Sequence, residues 1–420
     1  MRNNYLFIIL FTAFLMAVDF YTFRGIRKFG TDWNEYLRCG LISGYWLVPV
    51  IIVGMIVYMS FFRQPGPGTN LMPLVQFVLG LFVLFYVPKL VFILFQLGED
   101  IIHLLAKAAG RLSPAESTAA STAMKISRSQ FLSRVGIIAA AIPFAAIANG
   151  IWRGKFDFTV RRHSLKFSNL PSAFDGLKVV QISDFHIGSF IGSEEHVKKA
   201  VHKINEQNAD MLLFTGDIVN NKAEELKNFL PILEKLKARY GKYAVLGNHD
   251  YGDYVRWPNP ASKQKNMAQL REYIQAAGFK LLLNESEIVA AGGQKLALIG
   301  VENWGLPPFP QYGDLQKAQQ DTADAAFKIL LSHDPAHWEA EVLGKTDIDL
   351  TLSGHTHGMQ FGIDIPGWRW SPVNLRYKHW GGLYKENKQY LYVNTGIGFI
   401  AFPGRVGMPP EITVLEMKKG

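Results

Sequence analysis

The stretch Thr351-Leu352-Ser353-Gly354-His355-Thr356-His357-Gly358 passes from an apolar run into two histidines one residue apart, bounded by glycines. A short apolar run that ends in a polar, glycine-bounded motif is the pattern of a buried strand that delivers side chains to a ligand site at the carboxyl edge of an α/β sheet. The same pattern recurs upstream. Apolar run 178–183 leads into Asp184-Phe185-His186, 211–215 into Gly216-Asp217, 243–246 into Gly247-Asn248-His249-Asp250, and 327–332 ends at Ser332-His333. Runs 295–301, 347–352 and 389–394 are further strands by the same signal, and 193–208, 224–239 and 267–277 carry apolar residues at helical spacing. Residues 155–420 therefore read as one α/β domain, large enough to bury a sheet core.

The residues delivered by these strands are carboxylates, imidazoles and an amide, a set suited to divalent Mn, Fe, Zn, Co or Ni. The chain has one cysteine, Cys39, which excludes an intramolecular disulfide, a thiolate zinc site and a paired-thiol redox centre. Asp184, His186, Asp217, Asn248, His333, His355 and His357 are too many ligands for one ion. Two ions roughly 3.5–4 Å apart that share a carboxylate use them economically and suit in-line displacement at phosphorus. In an extended backbone the spacing of Asp184-Phe185-His186 and of His355-Thr356-His357 places both polar side chains on one side, with Phe185 facing away. Gly216, Gly247, Gly354 and Gly358 permit tight turns and close approach.

The five blocks, in this order, strongly resemble the calcineurin-like metallophosphoesterase superfamily, whose pattern is Asp-x-His, Gly-Asp, Gly-Asn-His-Asp/Glu, a lone His and Gly-His-x-His. The tail, Asn394-Thr395-Gly396-Ile397-Gly398 with Pro403-Gly404-Arg405 and Pro410-Glu411, is similar to the closing segment of the bacterial membrane-associated branch. The resemblance covers residues 155–420 and implies a four-layer αββα sandwich. It also implies a binuclear phosphohydrolase that cleaves a phosphomonoester or phosphodiester by direct attack of a metal-bridging hydroxide. By the same resemblance Asp184, His186, Asp217 and His357 hold one ion, and Asp217, Asn248, His333 and His355 the other, with Asp217 bridging. His249 then sits beside the phosphate as proton donor, and Asp250 orients its ring. Asn248 and Arg405 are the expected substrate contacts, with an ordinary surface arginine as the alternative for Arg405.

The first third is of another kind. Almost half of the 420 residues are apolar, and the excess lies before residue 152. Runs 5–22, 41–62 and 71–97 are each of a length and composition to cross ~30 Å of hydrocarbon. Run 135–152 is a fourth span, although its alanine-rich composition also suits a buried helix. Arg63-Gln64-Pro65-Gly66-Pro67-Gly68 makes spans two and three a hairpin, and residues 98–134 read as an amphipathic segment plus linker. Ser127-Arg128-Ser129-Gln130-Phe131-Leu132 resembles a twin-arginine export signal but has Ser129 where the second arginine belongs. Asp19 and Lys89 lie within spans; they either pair there or reach an interface, with Pro88 kinking the helix. Trp304, Phe309, Trp368 and Trp370 either line an apolar substrate pocket or cover a sheet edge or the membrane.

The formal charge of +9 lacks the aromatic-interleaved basic runs of a nucleic-acid binder, so the expected partners are the bilayer and a phosphate ester, lipid-linked or from the cell envelope. Arg24, Arg27, Lys28 and Arg38 in the first loop, and Lys107, Arg111, Lys125, Arg128 and Arg134 in the third, place those loops in the cytoplasm. With four spans the catalytic domain is then extracytoplasmic, whereas Arg153, Lys155, Arg161 and Arg162 directly after run 135–152 are a counter-signal, and if that run lies in the interface the domain is cytoplasmic. Two other classes compete: a membrane sensor or scaffold that uses the fold to bind a phosphorylated ligand, and a transporter regulated by the α/β domain. His249 argues against the first and the scarcity of polar residues in the spans against the second.

Overall fold

The computed structural model describes residues 2–29, 34–61, 72–109 and 128–420. The predicted hairpin at Arg63–Gly68, Ser127 of the export-like motif and most of the predicted linker lie outside these residues. The chain divides into two compact units, one ending at Asn149 and the other running from Gly150 to Gly420.

The first unit holds α1 (Arg2–Phe29), α2 (Glu35–Phe61), α3 (Met72–Ala108) and α4 (Arg128–Trp152) up to Asn149, the last three residues of α4 belonging to the second unit, and these four helices are long and apolar enough to cross a bilayer. Helix α3 continues through Pro88 and on to Ala108, so the first part of the expected amphipathic segment is an extension of the third span. Asp19 and Lys89 meet in the interior. Lys89 Nζ lies 2.5 Å from one oxygen of Asp19, the hydroxyl of Tyr86 donates to the other at 2.7 Å, and both charged side chains are buried. The pairing alternative holds here, because neither charge can reach water and each satisfies the other.

The second unit is a sandwich of two six-stranded sheets. In chain order the strands are β1 (Thr159–Phe167), β2 (Lys178–Ile182), β3 (Met211–Phe214), β4 (Lys242–Ala244), β5 (Lys280–Leu281), β6 (Glu285–Ala291) and β7 (Gln294–Gly300). They continue with β8 (Phe327–Leu331), β9 (Leu350–Ser353), β10 (Ile363–Ile365), β11 (Trp368–Trp370), β12 (Gly382–Glu386), β13 (Gln389–Val393) and β14 (Glu411–Lys419). One sheet has the order β1-β14-β2-β3-β4-β5, the other β12-β13-β9-β8-β7-β6, and β10-β11 is a separate antiparallel hairpin.

Alternate residues of the central strands face opposite layers. Val179, Met211, Leu213 and Val245 meet Leu298, Ile329, Leu331 and Leu352 between the sheets. Val180, Ile182, Leu212 and Phe214 pack against Val197, Val201 and Ile204 of α5 (Glu194–Asn205) and Leu270 and Ile274 of α7 (Pro260–Ala276). Ile299, Leu330 and Leu391 pack against Leu315 and Ala318 of α8 (Leu315–Ala318) and against Trp338 and Val342. These are four layers, helix, sheet, sheet, helix.

The helix expected over 224–239 is a 3₁₀ segment, Ala223–Phe229, followed by the single turn α6, Leu230–Leu233. Pro231 enforces the change, since it lacks an N–H and its ring crowds the preceding turn. Helix α7 starts earlier than its apolar pattern, at Pro260, because Asn259 caps it by accepting from Ser262 N at 2.8 Å.

Candidate metal centre

Strands β2, β3 and β4 run parallel in one sheet, and β8 and β9 run parallel in the other, so their carboxyl ends bring the sequence blocks to one edge of the sandwich. All seven expected ligands converge there in two groups. Asp184, His186 and His357 form one and Asp217, His333 and His355 the other, with the donor atoms of each group within 4.8 Å of one another. His357 Nε2 is 3.2 Å from Asp184 Oδ1 and 3.0 Å from His186 Nε2. Asn248 Oδ1 is 2.9 Å from His355 Nδ1, which lies 3.3 Å from His333 Nε2. One oxygen of Asp217, Oδ2, faces both groups, 3.2 Å from His333 Nε2 and 3.6 Å from His186 Nε2.

The backbone that achieves this is not extended. Asp184 (φ 51°), His186 (45°), Asp217 (60°), His355 (70°) and His357 (52°) are all left-handed, a conformation costly for side chains with a Cβ and typical of sites where the surroundings over-determine geometry. Backbone bonds hold the conformation, from Asp184 N to Gly216 O at 2.9 Å and from His186 N to Asp217 O at 3.1 Å. Phe185, as expected, turns into the core. Gly216 has φ 97°, and a Cβ on it would lie 2.6 Å from Gly247 N. A Cβ on Gly354 would lie 1.9 Å from Ser183 Oγ, so close approach requires glycine at both.

Neighbours fix the imidazole orientations. His333 Nδ1 lies 2.7 Å from the carbonyl of Thr215, which can only accept, so that nitrogen carries a proton and Nε2 faces Asp217. The Tyr377 hydroxyl holds Nε2 of His355 at 2.9 Å, and Tyr254 accepts from Asn248 Nδ2 at 2.9 Å, turning the amide oxygen inward. Asp334 accepts from Leu306 N and from Tyr377. Tyr377, Tyr254 and Asp334 were not legible as site residues. Only Asp334, adjacent to His333, carried a signal.

Burial alone would raise Asp217, but His333, His249 and His186 hold it well below the usual carboxylate range. His333, which burial would lower, is held up to about 10 by Asp217 and Asp184. Burial keeps His186 and His355 low, favouring neutral imidazole. Four imidazoles, two carboxylates and an amide oxygen, with no thiolate, fit a divalent first-row ion in each group, and the buried His186 Nδ1 has no protein partner.

Two expectations are corrected. Asp250 does not orient the His249 ring. Its carboxylate is fully buried, accepts from the backbone N–H groups of Asp217, Ile218, Val219 and Gly247, and is pushed up to about 7 by burial and Asp217. The ring of His249 is held by the Asn220 carbonyl, 2.7 Å from Nδ1. Arg405 is neither a surface residue nor placed to grip a phosphate. It is buried, its guanidinium donates to the carbonyls of Gly398, Met408 and Thr395, and Nη2 lies 3.3 Å from His357 Nδ1, so it backs the metal group from behind.

Of the four aromatics, Phe309 stands edge-on to His355, ring centres 4.8 Å apart, at the site itself. Trp304 lines a cavity of about 360 Å³ with Leu306, Arg376 and Tyr377. Trp368 and Trp370 lie on the exposed hairpin.

Residues 177–359 match the family described as calcineurin-like phosphoesterase, and residues 1–155 match a probable calcineurin-like phosphoesterase transmembrane domain. The uncharacterized metallophosphoesterase YkuE of Bacillus subtilis is 32% identical over 302 residues, 70% of this chain and 98% of that protein. The chain belongs to the calcineurin-like metallophosphoesterases. This metallophosphoesterase is also 26% identical to phosphodiesterase YaeI of Escherichia coli over 265 residues, 62% of this chain and 88% of that one. A Danio rerio transmembrane protein with metallophosphoesterase domain is 28% identical over 260 residues, 60% of this chain and 55% of that protein. A metal-dependent phosphohydrolase domain on a membrane protein follows from family and helices together.

Proposed function

We propose that this metallophosphoesterase is binuclear, with Asp184, His186, Asp217 and His357 holding one ion and Asp217, Asn248, His333 and His355 the other. The observation that carries the reading is the position of Asp217 Oδ2, which faces a histidine of each group at 3.2 and 3.6 Å. When bound, the ions supply a nucleophile from water at neutral pH for direct attack on phosphorus, and neutralise charge on the phosphoryl oxygens. His249 does the proton work. The Asn220 carbonyl keeps one proton on Nδ1, so the proton passed to the leaving oxygen is the one at Nε2. Asn248 presents its amide oxygen to the same space, and Arg405 fixes the strand ends behind it.

The substrate class is a phosphodiester or phosphomonoester attached to a lipid or the cell envelope, and the catalytic domain faces the extracytoplasmic side. Four apolar helices on the same chain favour substrates held at the bilayer by raising their effective concentration, and the basic first and third loops favour that orientation. The test is metal analysis of the purified full-length protein with hydrolysis of bis(p-nitrophenyl) phosphate, p-nitrophenyl phosphate and a nucleotide-linked lipid in vesicles. Two ions per chain and preference for the lipid are expected. One ion at full activity overturns the binuclear reading, and no advantage for the lipid overturns the substrate class. A reporter active only in the cytoplasm, fused after Gly420, should give no signal.

A further inference from the structure

The hairpin β10–β11 is amphipathic in the reverse sense. Directly paired residues share a face, so Ile363 with Trp370 and Ile365 with Trp368 form one side, and Asp364 with Arg369 the other. The charged side points into the domain, where Asp364 pairs with Arg161 of β1 and with Arg369, and the Arg369 guanidinium lies over the Trp380 ring at 4.8 Å. The apolar side points out, leaving Ile365 54%, Trp368 56% and Trp370 42% exposed. Met359, two residues after His357, is also 55% exposed.

The root of this hairpin is tied through Arg405 and Val406 to Gly150. Gly362 N donates to Val406 O at 2.9 Å, Val406 N donates to Gln360 O at 2.8 Å, and Arg405 N donates to Gly150 O at 3.2 Å. Gly150 is in the last turn of α4, packed so closely that a Cβ there would lie 2.7 Å from Val406 Cγ2. Two residues on, Trp152 ends the apolar helix 85% exposed, followed by exposed Arg153. A tryptophan with a basic residue at the end of a span marks the level of the membrane interface. We propose that the Ile363/Ile365/Trp368/Trp370 face of β10–β11 seats in the headgroup–acyl boundary of the bilayer that α4 enters, a contact that holds the loop carrying His355 and His357 at headgroup level. Tryptophan suits that boundary, with an apolar body for the lipid and an N–H for the water.

The test uses the full-length chain with Cys39→Ser, reconstituted in phosphatidylethanolamine and phosphatidylglycerol vesicles. A nitroxide is attached at Trp368→Cys, and collision with oxygen is compared with collision with a water-soluble nickel chelate. Lipid contact predicts oxygen collision well above nickel collision. A label at Lys388→Cys, in the β12–β13 turn at the other end of the strands, should show the opposite. A water-like ratio at 368 overturns the proposal, and so does exclusion of both probes, which would mean another protein surface covers the hairpin. Trp370→Cys gives the same reading should Trp368→Cys fail to fold. The measurement involves no turnover, so its outcome is separate from that of the hydrolytic reading.

Discussion

The Tyr377 hydroxyl lies 2.9 Å from Nε2 of His355, which leaves Nδ1 to face Asn248 and His333. Tyr377→Phe keeps the ring and removes this bond together with the one that the hydroxyl donates to Asp334. It should weaken metal binding by about 10–100-fold, the usual cost of losing an outer-shell partner. Metal titration by calorimetry measures this, and an unchanged affinity would show that packing against Phe309 alone orients His355.

Asp217 and His249 are joined by the bond from His249 N to Asp217 Oδ1 at 2.8 Å, yet they should separate cleanly under mutation. Asp217→Asn weakens the one ligand facing both groups, so bound metal and hydrolysis should fall together. His249→Ala should retain metal and lose about 10²–10⁴-fold in turnover, the range of a general-acid contribution. Full metal content in an inactive Asp217→Asn protein would remove the bridging role.

Glu411 accepts from Tyr392 at 2.6 Å, Thr395 at 2.7 Å and Thr413 at 2.8 Å. Burial would raise its pKa, but Arg161, the Tyr392 hydroxyl, Arg369 and the Thr395 hydroxyl hold it below the ordinary 4.5. A depressed carboxylate stabilises the fold above its unfolded pKa, and that contribution is lost as pH falls through the folded value. Glu411→Gln should therefore cost about 1–3 kcal/mol near pH 7, with the gap to wild type narrowing below pH ~4.5. Denaturant unfolding of the two proteins at several pH values measures the gap, and a gap constant with pH rules out the charge as its cause.

Asp19 and Lys89 are each the other's only charged partner among the bonds observed in the helical unit. Asp19→Leu or Lys89→Leu alone strands a buried charge and should destabilise by about 3 kcal/mol or more, whereas the double variant should recover most of the loss. Thermal unfolding of detergent-solubilised protein reads this out. Equal losses in single and double variants would mean that the residues act independently.

The sequence by itself determined the α/β class, the order of the strands that feed the site, the seven residues that converge there and the four apolar helices. Each rests on a local signal, an apolar run and the polar, glycine-bounded residues after it. It did not expose β1 or β14, because strands such as Thr159–Phe167 carry arginine, histidine and lysine at positions that only their partners bury or leave in water. Nor did it reveal how Asp-x-His and His-x-His converge. Period-two spacing suggested extended backbone, while contacts between strand ends from two sheets impose left-handed φ values instead. Tertiary structure alone decided the partners of Arg405 and Asp250. Whether a guanidinium meets solvent or three carbonyls, and whether a carboxylate meets a histidine ring or four N–H groups, depends on segments far apart in the chain. The same holds for β10–β11, whose alternation is ordinary and whose outward apolar face is set by the distant Arg161 pairing with Asp364.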